Sequence, residues 1–174
     1  APQPRELDLA GLRLRYLELG EGDSVPVLLL HGFGADLNTW MFVQPALAEG
    51  RRVIALDLPG HGGSAKRVER ADVESLAAIV GGALDALGVA RLHLVGHSMG
   101  GGIAIALASR EPERVATLSL IASASLGPEI NAGFIDRFVH ASRRREAQET
   151  LALLVNDPSL VSRRMVEDVL RYKR

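Results

Sequence analysis

Cysteine is absent from the 174 residues. Its absence excludes disulfide bonds, thiolate metal sites and a cysteine nucleophile. An excess of charge of either sign is also missing, because the formal net charge is −1. The chain therefore lacks the overall basic character that accompanies nucleic-acid binding, and we expect no nucleic-acid partner. The sequence contains no P-loop, no dinucleotide-binding glycine pattern and no cluster of metal ligands, so no metal is expected.

A long membrane-spanning run is lacking as well. Residues 92–109 contain no Lys, Arg, Asp or Glu, and such a length alone would suit a transmembrane helix. Glycines and two histidines interrupt the run, however, and its apolar pattern changes period midway. We therefore interpret it as a buried strand followed by a buried helix, and expect no membrane association.

Strand-like and helix-like segments alternate through the first three quarters of the chain. The hydrophobic pattern predicts strands over residues 12–16, 25–30, 52–56, 92–95 and 117–121, and helices over residues 39–48, 73–87 and 99–110. Such alternation predicts a mostly parallel sheet covered by helices. We expect Asn38 and Asp72 to cap the first two of these helices.

The pattern changes near residue 130. Three helical segments follow without an intervening strand, over residues 134–142, 146–155 and 159–172. Residues 131–174 also carry nine basic and six acidic side chains, whereas residues 1–130 carry eleven and fifteen. We predict an Ala/Pro linker remnant at residues 1–10, an α/β core at 11–127 and a helical cap region at 128–174.

The segment Gly96-His-Ser-Met-Gly100 carries the strongest chemical signal. It matches the pattern G-x-S-x-G between a predicted strand and a predicted helix, where a sharp turn exposes the serine. The flanking glycines are needed because side chains there would strike the neighbouring strand and helix. Ser98 is therefore the candidate nucleophile, and Gly96, His97 and Gly100 are interpreted as supporting it.

A second glycine-rich turn, His31-Gly-Phe-Gly34, follows the first buried strand. Attack by a serine on an acyl group creates an oxyanion, which preorganised N–H donors stabilise. The candidate donors are the backbone N–H groups of Phe33 and Met99. His31 and Gly32 are expected to hold the loop rather than to transfer protons.

The order of GHSMGG, HGFG and DLPGHGGS in the chain resembles the α/β-hydrolase fold over about residues 12–125. The resemblance implies that the fold class is α/β, with flanking helices, the start of a helical cap and the C-terminal strands missing. His61 and Asp57, in the third motif, are interpreted mainly as loop-fixing residues. Trp40, Met41 and Phe42 suit either a pocket for an apolar acyl group or the helix core.

Three segments resemble more narrowly the α/β-hydrolase-like C-terminal domain of acetoin dehydrogenase E2 components, the dihydrolipoyllysine-residue acetyltransferases. They are GRRVIALDLPGHGGSAK, LIASASLGPEIN and LVSRRMVEDVLRYKR. This resemblance implies acetyl transfer in the cytoplasm, with CoA and a lipoyl group as substrates and no covalently bound cofactor. It also implies a small-molecule acyl substrate, other subunits of a dehydrogenase complex as partners, and a homo-oligomer as a further option.

The sequence departs from the patterns of the families it resembles in two respects, and both leave other interpretations open. The parent fold orders its triad as serine, acid, histidine. Only one histidine of this sequence, His140, follows Ser98, and Asp136 lies one helical turn before it in the predicted cap region. The sequence therefore offers no recognisable base for Ser98. The chain alone is therefore expected to be inactive. The HxxxDG-type histidine of ordinary E2 cores is also absent. A hydrolase of esters, thioesters or C–C bonds and a truncated or non-catalytic scaffold module remain as alternatives.

Overall fold

The computed structural model describes residues 2–172, and strands and helices alternate over residues 24–121. The strands are β1 (Arg5–Leu9), β2 (Leu12–Leu19), β3 (Ser24–Leu30), β4 (Arg51–Leu56), β5 (Leu92–His97) and β6 (Val115–Ile121). The α-helices are α1 (Gln44–Leu47), α2 (Val73–Ala86), α3 (Met99–Arg110), α4 (Ala132–His140), α5 (Arg144–Leu151) and α6 (Arg163–Tyr172). The predicted alternation is thereby confirmed.

One six-stranded sheet organises the first part of the chain, with strand order β1-β2-β4-β3-β5-β6. The four strands from β4 to β6 in this order run parallel, whereas β1 and β2 pair antiparallel at one edge. Parallel neighbours end at the same edge of a sheet, and in open α/β sheets that edge carries the site. The turns after β3 and β5 therefore lie side by side.

Both faces of the sheet are packed. The larger core combines inward-facing strand residues with α2 and α3, and includes Leu30, Ile54, Leu94, Val80 and Ile103. A smaller core on the other face gathers Val27, Leu29, Val53 and Ala55 around Leu37 and Trp40. This two-sided burial explains why β3 and β4 are continuous apolar runs. Strand β6 pairs only with β5 within the part of the chain described, and much of it is exposed.

The chain divides between Gly127 and Pro128 into two compact units. In the second unit α4, α5 and α6 follow one another, and the segment between α5 and α6 contains two short 3₁₀ turns, Ala152–Leu154 and Pro158–Leu160. The predicted last helix is thus split, and Asp157 caps its 3₁₀ part by accepting from the Ser159 N–H. Within residues 2–172, no helix combines the length and the apolar composition that a membrane span requires.

The N-terminal interpretation needs a correction. The prediction of a linker at residues 1–10 is wrong for Arg5–Leu9, which form β1 and pair with β2, with Arg5 opposite Tyr16 and Leu9 opposite Leu12. Leu7 and Leu9 alternate with charged residues and pack against the larger core, which is the signature of an edge strand. A turn at Ala10 and Gly11, both with positive φ, closes the hairpin.

The first predicted helix is also shorter than expected. Instead of one helix over residues 39–48, a 3₁₀ turn spans Leu37–Trp40 and α1 begins only at Gln44. Pro45 suits the first turn of a helix but not its interior, which explains the late start. The cap of the 3₁₀ turn is Asp36, whose carboxylate accepts from the Asn38 N–H, so Asn38 is not the cap.

Candidate active site

Ser98 lies at a strained turn between β5 and α3. Its φ of 52° and ψ of −118° place it in the left-handed half of backbone space, which residues with a side chain seldom adopt. Such a conformation costs about 1–3 kcal/mol and persists only where the surroundings impose it. The turn therefore has to be held from outside.

Hydrogen bonds from the strand β6 side hold the Ser98 backbone. The Ser98 N–H donates to the Ile121 carbonyl over 3.0 Å, and the Ser98 carbonyl accepts from the Ala124 N–H over 3.0 Å. The same carbonyl accepts from Gly101 and begins α3. Sequence reasoning missed the contribution of residues 122–125, where Ala122 and Ser125 have positive φ. Alanine and serine give no sequence signal for such a turn.

Glycines let three backbone segments meet at this turn. A Cβ on Gly96 would lie 2.5 Å from the Gly100 carbonyl oxygen and 2.6 Å from Gly101 Cα. A Cβ on Gly100 would lie 2.5 Å from the His31 carbonyl oxygen. Real Cβ atoms do not approach backbone so closely, so the predicted need for glycine at both positions agrees with the local packing.

The His31-Gly-Phe-Gly34 loop lies against Ser98. Strands β3 and β5 pair in register, with Leu30 opposite Gly96, so the two turns that follow them are neighbours. A Cβ on Gly32 would lie 3.1 Å from Ser98 Cβ. Phe33 follows Gly32 directly. Met99 is the first residue of α3, and the first N–H groups of a helix have no acceptor within it.

His31 is fully buried and links two loops. Its Nδ1–H donates to the Gly32 carbonyl over 2.8 Å, and its Nε2 accepts from the Leu58 N–H over 3.0 Å. Burial lowers the pKa of His31 from 6.5 to about 4. Because both ring nitrogens are engaged with the backbone, the imidazole is neutral and ties the two loops together.

This burial predicts a pH dependence of stability. The unfolded chain binds a proton at His31 below pH 6.5, whereas the folded chain resists it down to about pH 4. The free energy of unfolding should therefore fall by about 3 kcal/mol from this residue alone as the pH drops from 7 to 4. The measurement is urea unfolding of the complete protein and of His31→Gln at several pH values between those limits.

The difference between the two proteins isolates His31. Asp57, whose pKa is raised by burial, contributes with the opposite sign but is common to both. We expect the stability advantage of the wild type over His31→Gln to shrink steadily on acidification. A difference that stays constant with pH would show that His31 is not held neutral.

Asp57 fixes the neighbouring loop. Its fully buried carboxylate accepts from the Leu37 N–H and the Gly63 N–H, each over 2.7 Å, and lies 3.3 Å from an Arg15 guanidinium nitrogen. Ser64 donates its hydroxyl to the Asp57 carbonyl over 2.6 Å. These bonds tie the DLPGHGGS loop to β2 and to the segment after the HGFG turn. The interpretation of Asp57 as a loop-fixing residue is consistent with all of them.

The other histidines of the first unit have their own surroundings. His97 Nδ1 is buried without a hydrogen-bond partner among the described residues, and burial lowers the pKa of the ring. His93 Nδ1 lies 2.8 Å from the Thr117 hydroxyl. His61 Nδ1 lies 3.1 Å from the Pro59 carbonyl. None of them, nor His31, hydrogen-bonds the Ser98 hydroxyl in the part of the chain that the structure describes.

His140 and Asp136 do meet, as their spacing predicts. His140 Nδ1 lies 3.2 Å from an Asp136 carboxylate oxygen, and both side chains are about three-quarters exposed. They belong to helix α4 of the second unit. The three residues considered for an acyl pocket have different surroundings. Trp40 is in the smaller core, whereas Met41 is half exposed and Phe42 is 88% exposed. The described residues contain no group of three or more potential metal ligands.

A sequence model of the alpha/beta hydrolase fold matches residues 25–163. A protein of Pseudomonas putida named dihydrolipoyllysine-residue acetyltransferase component of acetoin cleaving system is 50% identical over 173 residues, which are 99% of this chain and 47% of that protein. A 2-hydroxymuconate semialdehyde hydrolase of Pseudomonas sp. is 37% identical, over 97% of this chain and 60% of its own length.

The fold of this chain is also similar to that of solved structures. A meta-cleavage product hydrolase from Pseudomonas fluorescens superposes with a TM-score of 0.87 at 29% identity, covering 97% of this chain and 63% of that one. The chain spans about half the length of the acetoin-system relatives that it matches, 47% in one and 44% in another from Cupriavidus necator.

Proposed function

The chain belongs to the α/β-hydrolase fold family, and from this premise we propose that it carries the nucleophile and the oxyanion-binding loop of a serine-dependent acyl-transfer site. The observation that carries the proposal is the Ser98 backbone, held at a φ of 52° between β5 and α3 with the HGFG loop packed against it. Residues with a side chain seldom adopt this conformation. It presents a serine side chain at the edge where open α/β sheets bind ligands.

The proposed chemistry has two balanced steps. Ser98 Oγ bonds to the carbonyl carbon of an acyl donor, its proton passes to a base, and the N–H groups of Phe33 and Met99 stabilise the oxyanion. The donor's C–S or C–O bond then breaks, and the leaving group takes the proton. A thiol or water attacks the acyl-serine in the same way and restores Ser98. Each preorganised donor contributes about 3–4 kcal/mol to such a transition state.

The proposed reaction also requires a base that takes the Ser98 proton and an acid that orients this base. Among the described residues of the first unit no histidine hydrogen-bonds the Ser98 hydroxyl, and both ring nitrogens of His31 are engaged with backbone groups. We therefore assign the activating histidine and its acid to positions outside these residues. On this proposal the first unit supplies the nucleophile and the oxyanion donors, and activity requires the complete protein.

The acyl group is proposed to be acetyl, and the acceptor CoA. The support is the identity of 50% and 44% with proteins named as acetyltransferase components of acetoin cleaving systems. Acetyl-dihydrolipoamide would then be the donor, and other subunits of such a system the partners. A second candidate is hydrolysis, including cleavage of C–C bonds, because relatives at 37% and 34% identity are named as hydrolases of semialdehyde and dienoate compounds.

The fate of the acyl-serine separates the two candidates. The complete protein is incubated with acetyl-dihydrolipoamide, with and without CoA, and acetyl-CoA and free acetate are quantified. We expect acetyl-CoA to exceed acetate by about tenfold or more, because a transferase has to favour the thiol over water. Acetate in excess, independent of CoA, would favour the hydrolase. Neither product, from acetyl-dihydrolipoamide or from simple esters, would favour the scaffold interpretation.

A further inference from the structure

The loop that carries the proposed oxyanion donor Phe33 is fixed on both sides of this residue. His31 is fixed by its two ring hydrogen bonds, and the Ala35 N–H closes the turn onto the Gly32 carbonyl over 3.2 Å. Leu37 is fixed by the Asp57 carboxylate. The Phe33 side chain contacts a different loop. The centroid of its ring lies 5.8 Å from that of the His61 ring, and the two ring planes meet edge to face at an angle of 78°.

His61 is a rigid platform for that contact. Its Nδ1–H donates to the Pro59 carbonyl, its N–H donates to the Leu58 carbonyl, and its carbonyl accepts from the Ser64 N–H. The residue that follows, Gly62, has a φ of +49° and no room for a Cβ beside the Asp57 carboxylate. The His61 ring also lies 5.3 Å from the His31 ring, so it contacts both aromatic side chains of the HGFG loop.

From this arrangement we infer that His61 is a positioning residue for the oxyanion loop: its ring, rather than its hydrogen bond, sets the place of the Phe33 N–H. The inference deepens the proposed function and rests on it. The ring has a defined tautomer with the proton on Nδ1, so its flat surface is fixed relative to the DLPGHGGS loop. Edge-to-face packing is orientation-specific, and it restricts Phe33 in a way that a hydrogen bond to Pro59 alone does not.

Two substitutions separate the ring from the hydrogen bond. His61→Asn keeps a donor for the Pro59 carbonyl but removes the ring, whereas His61→Phe keeps a ring and removes the donor. With p-nitrophenyl acetate and the complete protein, we expect His61→Asn to lower kcat by about 10- to 100-fold, because a misplacement of about 1 Å has that effect. We expect KM to change by less than about threefold and His61→Phe to stay within about threefold of wild type.

A measurement without turnover makes the result independent of Ser98. Hydrogen–deuterium exchange of peptides covering residues 31–36 should be faster in His61→Asn and unchanged in His61→Phe, because the ring limits local opening. The reverse order of the two variants, in kcat or in exchange, would overturn the positioning role and assign the effect to the Pro59 bond. Turnover that survives Ser98→Ala would overturn the proposed function instead, and the exchange result would still decide the role of His61.

Discussion

Ser98→Ala is expected to lower acyl-transfer turnover of the complete protein by about 10,000-fold or more, and to abolish covalent labelling by a serine-reactive phosphonate. The chain has no cysteine, and Ser98 is the residue that the strained turn presents. Without its hydroxyl there is no oxygen to form the acyl intermediate. The measurement is initial rate with an activated acetyl ester, together with intact-mass detection of the phosphonate adduct.

The matched control is Ser123→Ala. The Ser123 hydroxyl packs against Gly101 near the same turn, but donates to the Ala124 carbonyl over 2.7 Å. The Ser123→Ala substitution should leave labelling intact.

Ser98→Gly adds a stability test. Glycine usually destabilises a protein by about 0.5–1 kcal/mol relative to alanine, but at this position it also relieves the strain of the positive φ. We expect Ser98→Gly to be at least as stable as Ser98→Ala. Undiminished labelling of Ser98→Ala would end the nucleophile assignment.

Gly100→Ala is expected to have the largest effect on stability. Its Cβ would lie 2.5 Å from the His31 carbonyl oxygen and 2.7 Å from the Leu30 carbonyl carbon. These are backbone atoms at the end of a central strand, so relief requires β3 and α3 to separate. Overpacking of this kind lies at the upper end of its usual cost, about 3 kcal/mol or more. Urea unfolding of the complete protein measures it.

Gly82→Ala in α2 provides the contrast. A Cβ there would lie 3.7 Å from Leu9 Cδ1, an ordinary van der Waals distance. Alanine in the middle of a helix should therefore raise the free energy of unfolding by about 0.5–1 kcal/mol. Opposite signs for the same chemical change would show that glycine at position 100 serves close approach. A Gly100→Ala protein as stable as wild type would contradict the packing around the turn.

The sequence predicted the sheet well because its signals are local. Apolar runs such as residues 25–30 and 52–56 mark buried strands, and they lie within β3 and β4. Asp72 as the cap of α2 is confirmed, since its carboxylate accepts from the Ser75 N–H. The prediction of one helix over residues 39–48 is wrong because Pro45 and Asp36, rather than apolar periodicity, decide where the segment turns.

Long-range features of the candidate site could not be predicted. The glycines of G-x-S-x-G predict a tight turn. No sequence pattern predicts that the Ala124 N–H donates to the Ser98 carbonyl, or that Arg15 lies beside Asp57. The ring contact between Phe33 and His61 joins residues from two different loops. Such contacts depend on strand order, and the order β2-β4-β3-β5 is a property of the fold rather than of any segment.

The way the turn at Ser98 is held has a consequence for how the chemistry can evolve. The groups that hold it are backbone N–H groups, carbonyls and glycines, and the hydroxyl is not among them. On the proposed function, the scaffold thus constrains where the reactive atom lies without constraining which atom it is. A substitution of Ser98 that keeps the backbone conformation leaves these holding groups in place, so the proposed chemistry at this position can change while the surrounding architecture stays the same.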